Sequence, residues 1–401
     1  MAETAANTVL RSARPRRREP ALTANLDWTL CGVVLAVAAL GLVMVASASV
    51  AVADRELGQP WFYLRRQGGY LLLAALLAWF VLRVPMIQWQ RLGVVLLALG
   101  IGLLALVLLP GVGHSVNGSV RWLALGVFNL QVSELAKLCV FVYLAGYLVR
   151  RGEAVRATLR GLLIPFGVLA LISLLLLLEP DFGAAVVLMA TGLALLFIAG
   201  VSLWHFGLLL IPVAATGVAL IVTEPYRWQR LTGFLNPWAD PFHSGFQLTQ
   251  SLIAIGRGQW LGVGLGNSVE KLFYLPEAHT DFLFAVLAEE LGLLGVSVTI
   301  GLYGFVVWRA FRIATRAMAL ERRFGGYLAY AVGTWLGLQA FLNIGVNMGL
   351  LPTKGMTLPL MSYGGSSLVI SVLLLTLLVR VDYENRVAAV SARTVAREHG
   401  L

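Results

Sequence analysis

The sequence predicts an all-α integral membrane protein: a bundle of about ten transmembrane helices, with a long extracytoplasmic loop between the seventh and eighth. Three observations predict it. The 401 residues are 59% hydrophobic and only 12% charged, against about 25% charged in a soluble domain, which places most of the mass in a bilayer. Apolar runs of roughly 17–25 residues recur along the chain. The basic residues divide unevenly between the two sides that those runs define.

The runs lie near 29–53, 68–84, 92–112, 134–149, 161–178, 183–200, 203–222, 281–308, 327–350 and 365–381. Before the first, residues 1–28 carry Arg11, Arg14, Arg16, Arg17 and Arg18. A cleaved signal peptide would have a shorter basic region and an Ala-x-Ala exit, so this segment reads as a cytoplasmic tail before a retained helix. With the N-terminus inside, the inner side collects that tail, Arg83 and Arg91, the arginines from Arg150 to Arg160 and from Arg309 to Arg323, and those from Arg380 onward. Together these are two-thirds of the 30 Lys and Arg residues. The asymmetry fits an even number of spans and places both termini, including 382–401, in the cytoplasm. All three lysines, Lys137, Lys271 and Lys354, fall on the outer side, which directs attention to chemistry there.

The net charge of +10 would mark a nucleic-acid partner only as a patch on a soluble domain. No stretch is long and polar enough to form one, so no nucleic acid is expected. Cys31 and Cys139 sit in separate apolar runs and read as small buried side chains, with no disulfide framework and no metal motif.

Residues 223–280 form the long outer loop of a 29–381 transmembrane domain. It is too long for a passive connection, and its apolar piece SLIAIG (251–256) and the turns YRWQR and NPWAD suggest a partly folded cap that carries function. It ends in LPEAHTDFLFAVLAEELG, Leu275 to Gly292. Thr280 or Asp281 could simply cap the eighth helix. Below Asp281, the stripe Ala285, Ala288, Gly292 and Gly295 permits either close helix packing or a cavity. Glu289 lies on nearly the same face, about 12 Å deeper at ~1.5 Å per residue. An acid there needs a partner, a proton or a polar cavity open to the outer surface.

Glu134 and Lys137, three apart at the mouth of the fourth span, form either a self-neutralising pair or part of that same cavity, where Lys137 could attract an anion. Arg121, in NGSVRWLALG, suits an interfacial anchor as well as a phosphate contact; Asn117-Gly118-Ser119 also matches a glycosylation sequon. LEPDFG (178–183) reads as Pro at a first helical position with Asp near a cap. GLLPTKGMTLPLMSYGGSS (349–367), with Lys354 its only charge, is a turn with a Ser cap or a re-entrant stretch. Gly262-Val263-Gly264-Leu265-Gly266 resembles a dinucleotide loop but lacks the strand–helix–strand setting.

The blocks VNGSVRWL, QVSELAKL, LEPDFGAAVVL, QLTQSLIAIGRGQWLGVGLGNSVEKLFYLPEAHTDFLFAVLAEELG and LPTKGMTLPLMSYGGSS together resemble the SEDS family (shape, elongation, division, sporulation) from the first span to the tenth. The wording around Lys354 looks like the cell-division member rather than the elongation member. The resemblance implies a ten-helix inner-membrane peptidoglycan glycosyltransferase that polymerises lipid II into septal glycan strands. It implies as partners lipid II and the growing glycan strand, a division-specific class B penicillin-binding protein and other divisome membrane proteins. Asp281 carries over as the catalytic acid, a general base on the acceptor 4-hydroxyl while polyprenyl pyrophosphate leaves. Glu134 and Lys137 carry over to the adjoining cavity. Arg121, Lys271, Glu277, His279, Lys354 and Ser366 complete the candidate substrate contacts. A divalent metal, Mg or Mn, on Asp281 and Glu134 is a further source of positive charge, and no organic cofactor is expected. The competing functions are a lipid II flippase and a non-catalytic scaffold that recruits the penicillin-binding protein.

Overall fold

The computed structural model describes residues 25–398, apart from 117–118, 125, 127–128, 224, 244 and 273. The five tail arginines and the Asn117-Gly118 part of the sequon lie outside the described residues. The described chain is almost entirely helical. It forms α1 (Trp28–Leu57), α2 (Phe62–Val81), α3 (Met86–Val107), α4 (Val132–Ala157), α5 (Leu159–Leu178) and α6 (Phe182–Ile198). There follow α7 (Leu203–Val222), α8 (Pro225–Leu235), α9 (Phe246–Gly258), α10 (Leu283–Ala319), α11 (Arg323–Asn347) and α12 (Gly365–Glu398).

Seven of these helices are long and apolar enough to cross a membrane, namely α1, α3, α4, α5, α7, α10 and α12; α6 is apolar but shorter. Each apolar run of the sequence coincides with a helix. Some helices overrun the runs, however: α4 continues to Ala157, α10 to Ala319 and α12 to Glu398. A helix needs no apolar stripe beyond the bilayer, so a hydropathy reading stops too early there.

Between α3 and α4 the chain makes a small antiparallel sheet, β1 (His114–Val116), β2 (Ser119–Ala124) and β3 (Asn129–Gln131), in the order β1-β2-β3. Trp122 pairs with Gln131 and Ala124 with Asn129, so β3 runs directly into the first turn of α4. The outer loop is helical in α8 and α9, and α9 packs along α10. At the centre stands α11, in contact with α10, α6, α4 and α12.

Helix α10 is two helices joined at Gly292, whose φ of 63° and ψ of −163° are non-helical. The segment after α9 fills the break. Val263 N donates to Glu289 O at 2.9 Å and Gly264 N to Glu290 O at 3.0 Å, while Leu293 N donates to Gln259 O and Leu294 N to Trp260 O. Those are the four groups that would otherwise bond each other across one helical turn, so the inserted segment replaces two helix bonds with four of its own. The approach demands glycine on both sides. A Cβ on Gly262 (φ 79°) would overlap the Glu290 carbonyl, and one on Gly292 would overlap Gly262 N. The glycines that resemble a dinucleotide loop thus serve as an insertion into a helix.

At the end of the bundle opposite the small sheet, acids tie the helices together. Asp27 caps α1 and pairs with Arg309 of α10 at 2.6 Å and Arg386 of α12 at 3.5 Å. Glu384 of α12 pairs with Arg322 and Arg380 and accepts from Met86 N, at the start of α3, at 2.8 Å.

Candidate active site

The site is organised by three amides of α11. Gln339, Asn343 and Asn347 fall at intervals of four and share one face, all of them buried. Polar groups in a membrane helix must be satisfied by protein, so their partners show what the stripe holds together.

Asn343 Nδ2 donates to the carbonyl of Asp281 at 2.9 Å and to that of Met356 at 2.5 Å. Asn347 Nδ2 donates to the same Asp281 carbonyl at 3.0 Å, and its Oδ1 accepts from Ala285 N at 3.2 Å. Two side chains from one helix therefore fix the backbone of Asp281 just before α10 begins. One turn deeper, Gln339 accepts from Lys137 Nζ at 3.2 Å and from Trp335 Nε1 at 2.7 Å, and donates to Thr357 O at 3.1 Å. Lys137 is 2% exposed and bonds Glu134 at 2.8 Å. The Glu134–Lys137 pair and Asp281 thus meet one seam about 6 Å apart along α11.

Phe282, rather than Thr280 or Asp281, holds the N-cap position of α10. Thr280 Oγ1 is turned to Glu277 instead, at 2.6 Å from its carboxylate. Asp281 Oδ2 lies against Gly355, where an added Cβ would come within 2.9 Å of it. Beside this contact is a cavity of about 140 Å³ between α6, α11 and residues 351–356. Its wall is apolar except for Lys354, whose ammonium sits 3.9 Å from the centre of the Phe182 ring.

Other predicted contacts are committed elsewhere. Lys271 is buried and bonds Glu290 at 2.7 Å and Ser47 of α1 at 3.0 Å. Arg121 donates to the carbonyls of Glu179 at 3.0 Å and Pro180 at 2.6 Å, bracing β2 against the α5–α6 turn. Ser366 accepts from Gln131 N and donates to Asn129 O, each at 2.8 Å, stapling β3 to the start of α12. His279 packs on Tyr63, with ring centres 4.5 Å apart, and burial lowers its affinity for a proton against the pull of Glu277 and Glu56. Glu277 is exposed in the same turn.

The deeper glutamates are structural. Glu289 and Glu290 are fully buried. Glu289 accepts from Ser268 Oγ at 2.5 Å and Val269 N at 3.1 Å, and Glu290 takes Ser47 Oγ at 2.7 Å beside Lys271. The alanine and glycine stripe beneath Asp281 receives α9 by close packing, with Gly258 against the Ala288 carbonyl.

In LEPDFG, Asp181 caps α6 by accepting from Ala184 N at 3.1 Å, and Pro180 precedes the cap rather than opening the helix. Asp181 also accepts from Ser133 Oγ at 3.1 Å, which links the turn to the residue before Glu134. Its neighbour Glu179 is 1% exposed with neither carboxyl oxygen hydrogen-bonded. Burial and the nearby Asp181 push that carboxyl up to about 8, against the opposing pull of Arg121.

A divalent metal does not fit a site made by protein ligands alone. Among the described residues no three His, Cys, Asp or Glu side chains converge, and Glu134 is already neutralised by Lys137.

The amide stripe is what sequence reading missed. Its signal is present: three amides at helical spacing in LQAFLNIGVN, an otherwise apolar stretch.

A family model for cell cycle proteins, FTSW_RODA_SPOVE, matches residues 27–387. A relative from Thioalkalivibrio sulfidiphilus, named probable peptidoglycan glycosyltransferase FtsW, is 60% identical over 363 residues, 90% of this chain and 91% of its own length. Another of that name, from Alkalilimnicola ehrlichii, is 57% identical over 94% of both chains. Among solved structures, a chain from a peptidoglycan synthase complex that coordinates polymerization and crosslinking superposes with a TM-score of 0.74 at 32% identity, covering 90% of this chain and 98% of that one. The rod shape determining protein RodA of Thermus thermophilus superposes at 0.65 with 30% identity, over 90% of this chain and 97% of its own. The chain belongs to the FtsW/RodA/SpoVE family of cell cycle proteins.

Proposed function

We propose that this chain is a peptidoglycan glycosyltransferase of the bacterial inner membrane, polymerising lipid II into septal glycan with Asp281 as the general base. The observation that carries the reading is the fixing of Asp281. Two buried amides of α11 hold its backbone, and its carboxyl lies against Gly355 beside the Lys354 cavity. Relatives at 57–60% identity are named probable peptidoglycan glycosyltransferases.

The donor sugar leaves with a polyprenyl pyrophosphate, which needs no proton. One carboxylate therefore suffices, whereas hydrolysis of an ordinary glycoside typically uses two. Asp281 removes the proton from the acceptor 4-hydroxyl as its oxygen attacks the anomeric carbon. The C–O bond to pyrophosphate breaks on the opposite face, and the configuration inverts. Positive charge for the leaving group comes from lysine. Lys271 and Arg121 are held by Glu290 and by the α5–α6 turn, and Lys137 by Glu134 and Gln339; we assign the leaving group to Lys354 on the cavity wall. The likeness to a chain of a peptidoglycan synthase complex supports a penicillin-binding protein as partner, and we assign the class B, division-specific type. Both termini are cytoplasmic in this reading, as the arginine distribution requires.

A flippase would need polar groups free to meet the headgroup at both faces. The distinctive polar side chains, Glu134, Lys137, Asp281 and Lys354, instead gather at one end of the bundle, which favours polymerisation. The test is reconstitution on labelled lipid II, with and without the partner. Wild type makes glycan chains; Asp281→Asn binds the partner and makes none. Full polymerisation by the Asn variant refutes the general-base role, and translocation without polymer refutes the enzyme.

A further inference from the structure

A second cavity lies at the opposite end of the bundle, between α3 and α4. It measures about 450 Å³ and is lined by Ile87, Gln90, Arg91 and Val94 of α3 and by Arg150 of α4. That volume is within the range of small-ligand sites. Two arginines line it and no carboxylate does. Some arginines on this side are matched with acids, as in Arg309–Asp27 and Arg386–Asp382. Arg91 and Arg150 have no hydrogen bond or ion pair among the described residues.

The floor of the cavity is a close contact between the two helices. A Cβ at Gly93 would sit 3.5 Å from the backbone of Tyr143, and one at Gly146 would sit 3.1 Å from Arg150 Nη1 and 3.6 Å from Gln90 O. The exposed Arg150 side chain therefore runs back over Gly146, on the side of that residue that faces α3. On the outward side, Ile87, Val94 and Val95 are more than half exposed. That apolar face continues along α3, one of the membrane-crossing helices.

We propose that this cavity binds the phosphate of an anionic glycerophospholipid in the inner leaflet, held between Arg91 and Arg150 with an acyl chain along Ile87 and Val94. The two guanidiniums present forked donors suited to phosphate oxygens. They lie where the spans end and the headgroups begin. The apolar exposed wall selects a lipid over a soluble phosphate, which would leave it bare. The inference rests on the orientation of the chain and not on the chemistry at Asp281.

The experiment uses the full chain, purified in micelles and titrated with phosphatidylglycerol or phosphatidylcholine while native mass spectrometry counts bound lipid. Wild type should retain phosphatidylglycerol about 10-fold or more better than phosphatidylcholine, since charge-assisted hydrogen bonds are the stronger kind. R91Q/R150Q should lose that preference, and R312Q, at another exposed arginine of the inner side, should keep it. G146A retains both charges but crowds the Arg150 guanidinium, and should reduce the preference in part. Equal binding of the two lipids by wild type, or an undiminished preference in R91Q/R150Q, overturns the proposal. So does displacement of the lipid by millimolar inorganic phosphate, which would mark a site for the soluble ion.

Discussion

Asn343 is the residue whose replacement most directly tests the architecture of the site. Its Nδ2 bridges Asp281 O and Met356 O, while its Oδ1 is buried without a hydrogen-bond partner. Asn343→Leu keeps a branched side chain of similar length and removes both donors. The carbonyl of Met356 then loses this buried donor, at a cost of about 1–3 kcal/mol. Removing the unpartnered Oδ1 offsets part of this, so the net loss of stability should be roughly 1–2 kcal/mol. Asp281 O keeps the bond from Asn347 at 3.0 Å, so the turn remains in place but is no longer tied to residues 354–356.

The effect on the reaction should be larger than the effect on the fold. A misplacement of about 1 Å at a reacting group can cost 100-fold in rate. Polymerisation of labelled lipid II in vesicles should show kcat down about 10–100-fold with KM within about 3-fold, because the backbone ties orient the base rather than bind the sugar. A thermal melt of the same sample separates misorientation from unfolding. Asn347→Leu should behave similarly but more mildly, since Asn343 still holds both carbonyls. The reasoning fails if Asn343→Leu melts below wild type as expected yet polymerises at the wild-type rate.

Glu179 should make the protein less stable as pH rises. Its carboxyl titrates at about 8 in the folded chain against an ordinary 4.5, so between those values the unfolded chain has lost a proton that the folded chain keeps. Stability then falls by up to about 1.4 kcal/mol per pH unit through that window and levels off above it. Glu179→Gln should flatten the slope and melt higher than wild type at pH 8, and parallel melting curves would refute the assignment. For the buried Lys271–Glu290 pair, Glu290→Gln should destabilise by roughly 3–5 kcal/mol by leaving Lys271 uncompensated. The double variant Lys271→Met/Glu290→Leu should recover most of that in a double-mutant cycle. If the double variant folds and no longer polymerises, Lys271 touches substrate after all.

The helical architecture was legible because length and hydropathy are local properties. Every apolar run falls on a helix, and the errors lie at the boundaries: α4, α10 and α12 continue past their runs, α2 begins at Phe62 rather than near 68, and α3 ends at Val107 rather than near 112. The small sheet was not anticipated, although Asn117-Gly118 stands between β1 and β2 and Asn-Gly is a strong hairpin signal. Lys271 and Arg121 show a different limit. An outer-side cation in a membrane protein is chemically equivalent on paper to any other. Only the fold shows that one is closed by Glu290 and the other by two carbonyls.

The same limit explains why the acids of LPEAHTDFLFAVLAEELG divide as they do. A carboxylate in an apolar helix must be satisfied, and sequence cannot tell satisfaction by protein from satisfaction by substrate. Glu289 and Glu290 sit at the break in α10, where the chain supplies Ser268, Val269, Ser47 and Lys271 to meet them. Their cost is offset within the fold, and what they provide is a fixed α9–α10 unit. The backbone of Asp281 is held by Asn343 and Asn347, and its carboxyl is set against Gly355 near the Lys354 cavity. A fixed main chain of this kind is what the proposed general-base role needs, because a reacting group must be held in place. The rigid unit beneath keeps it there.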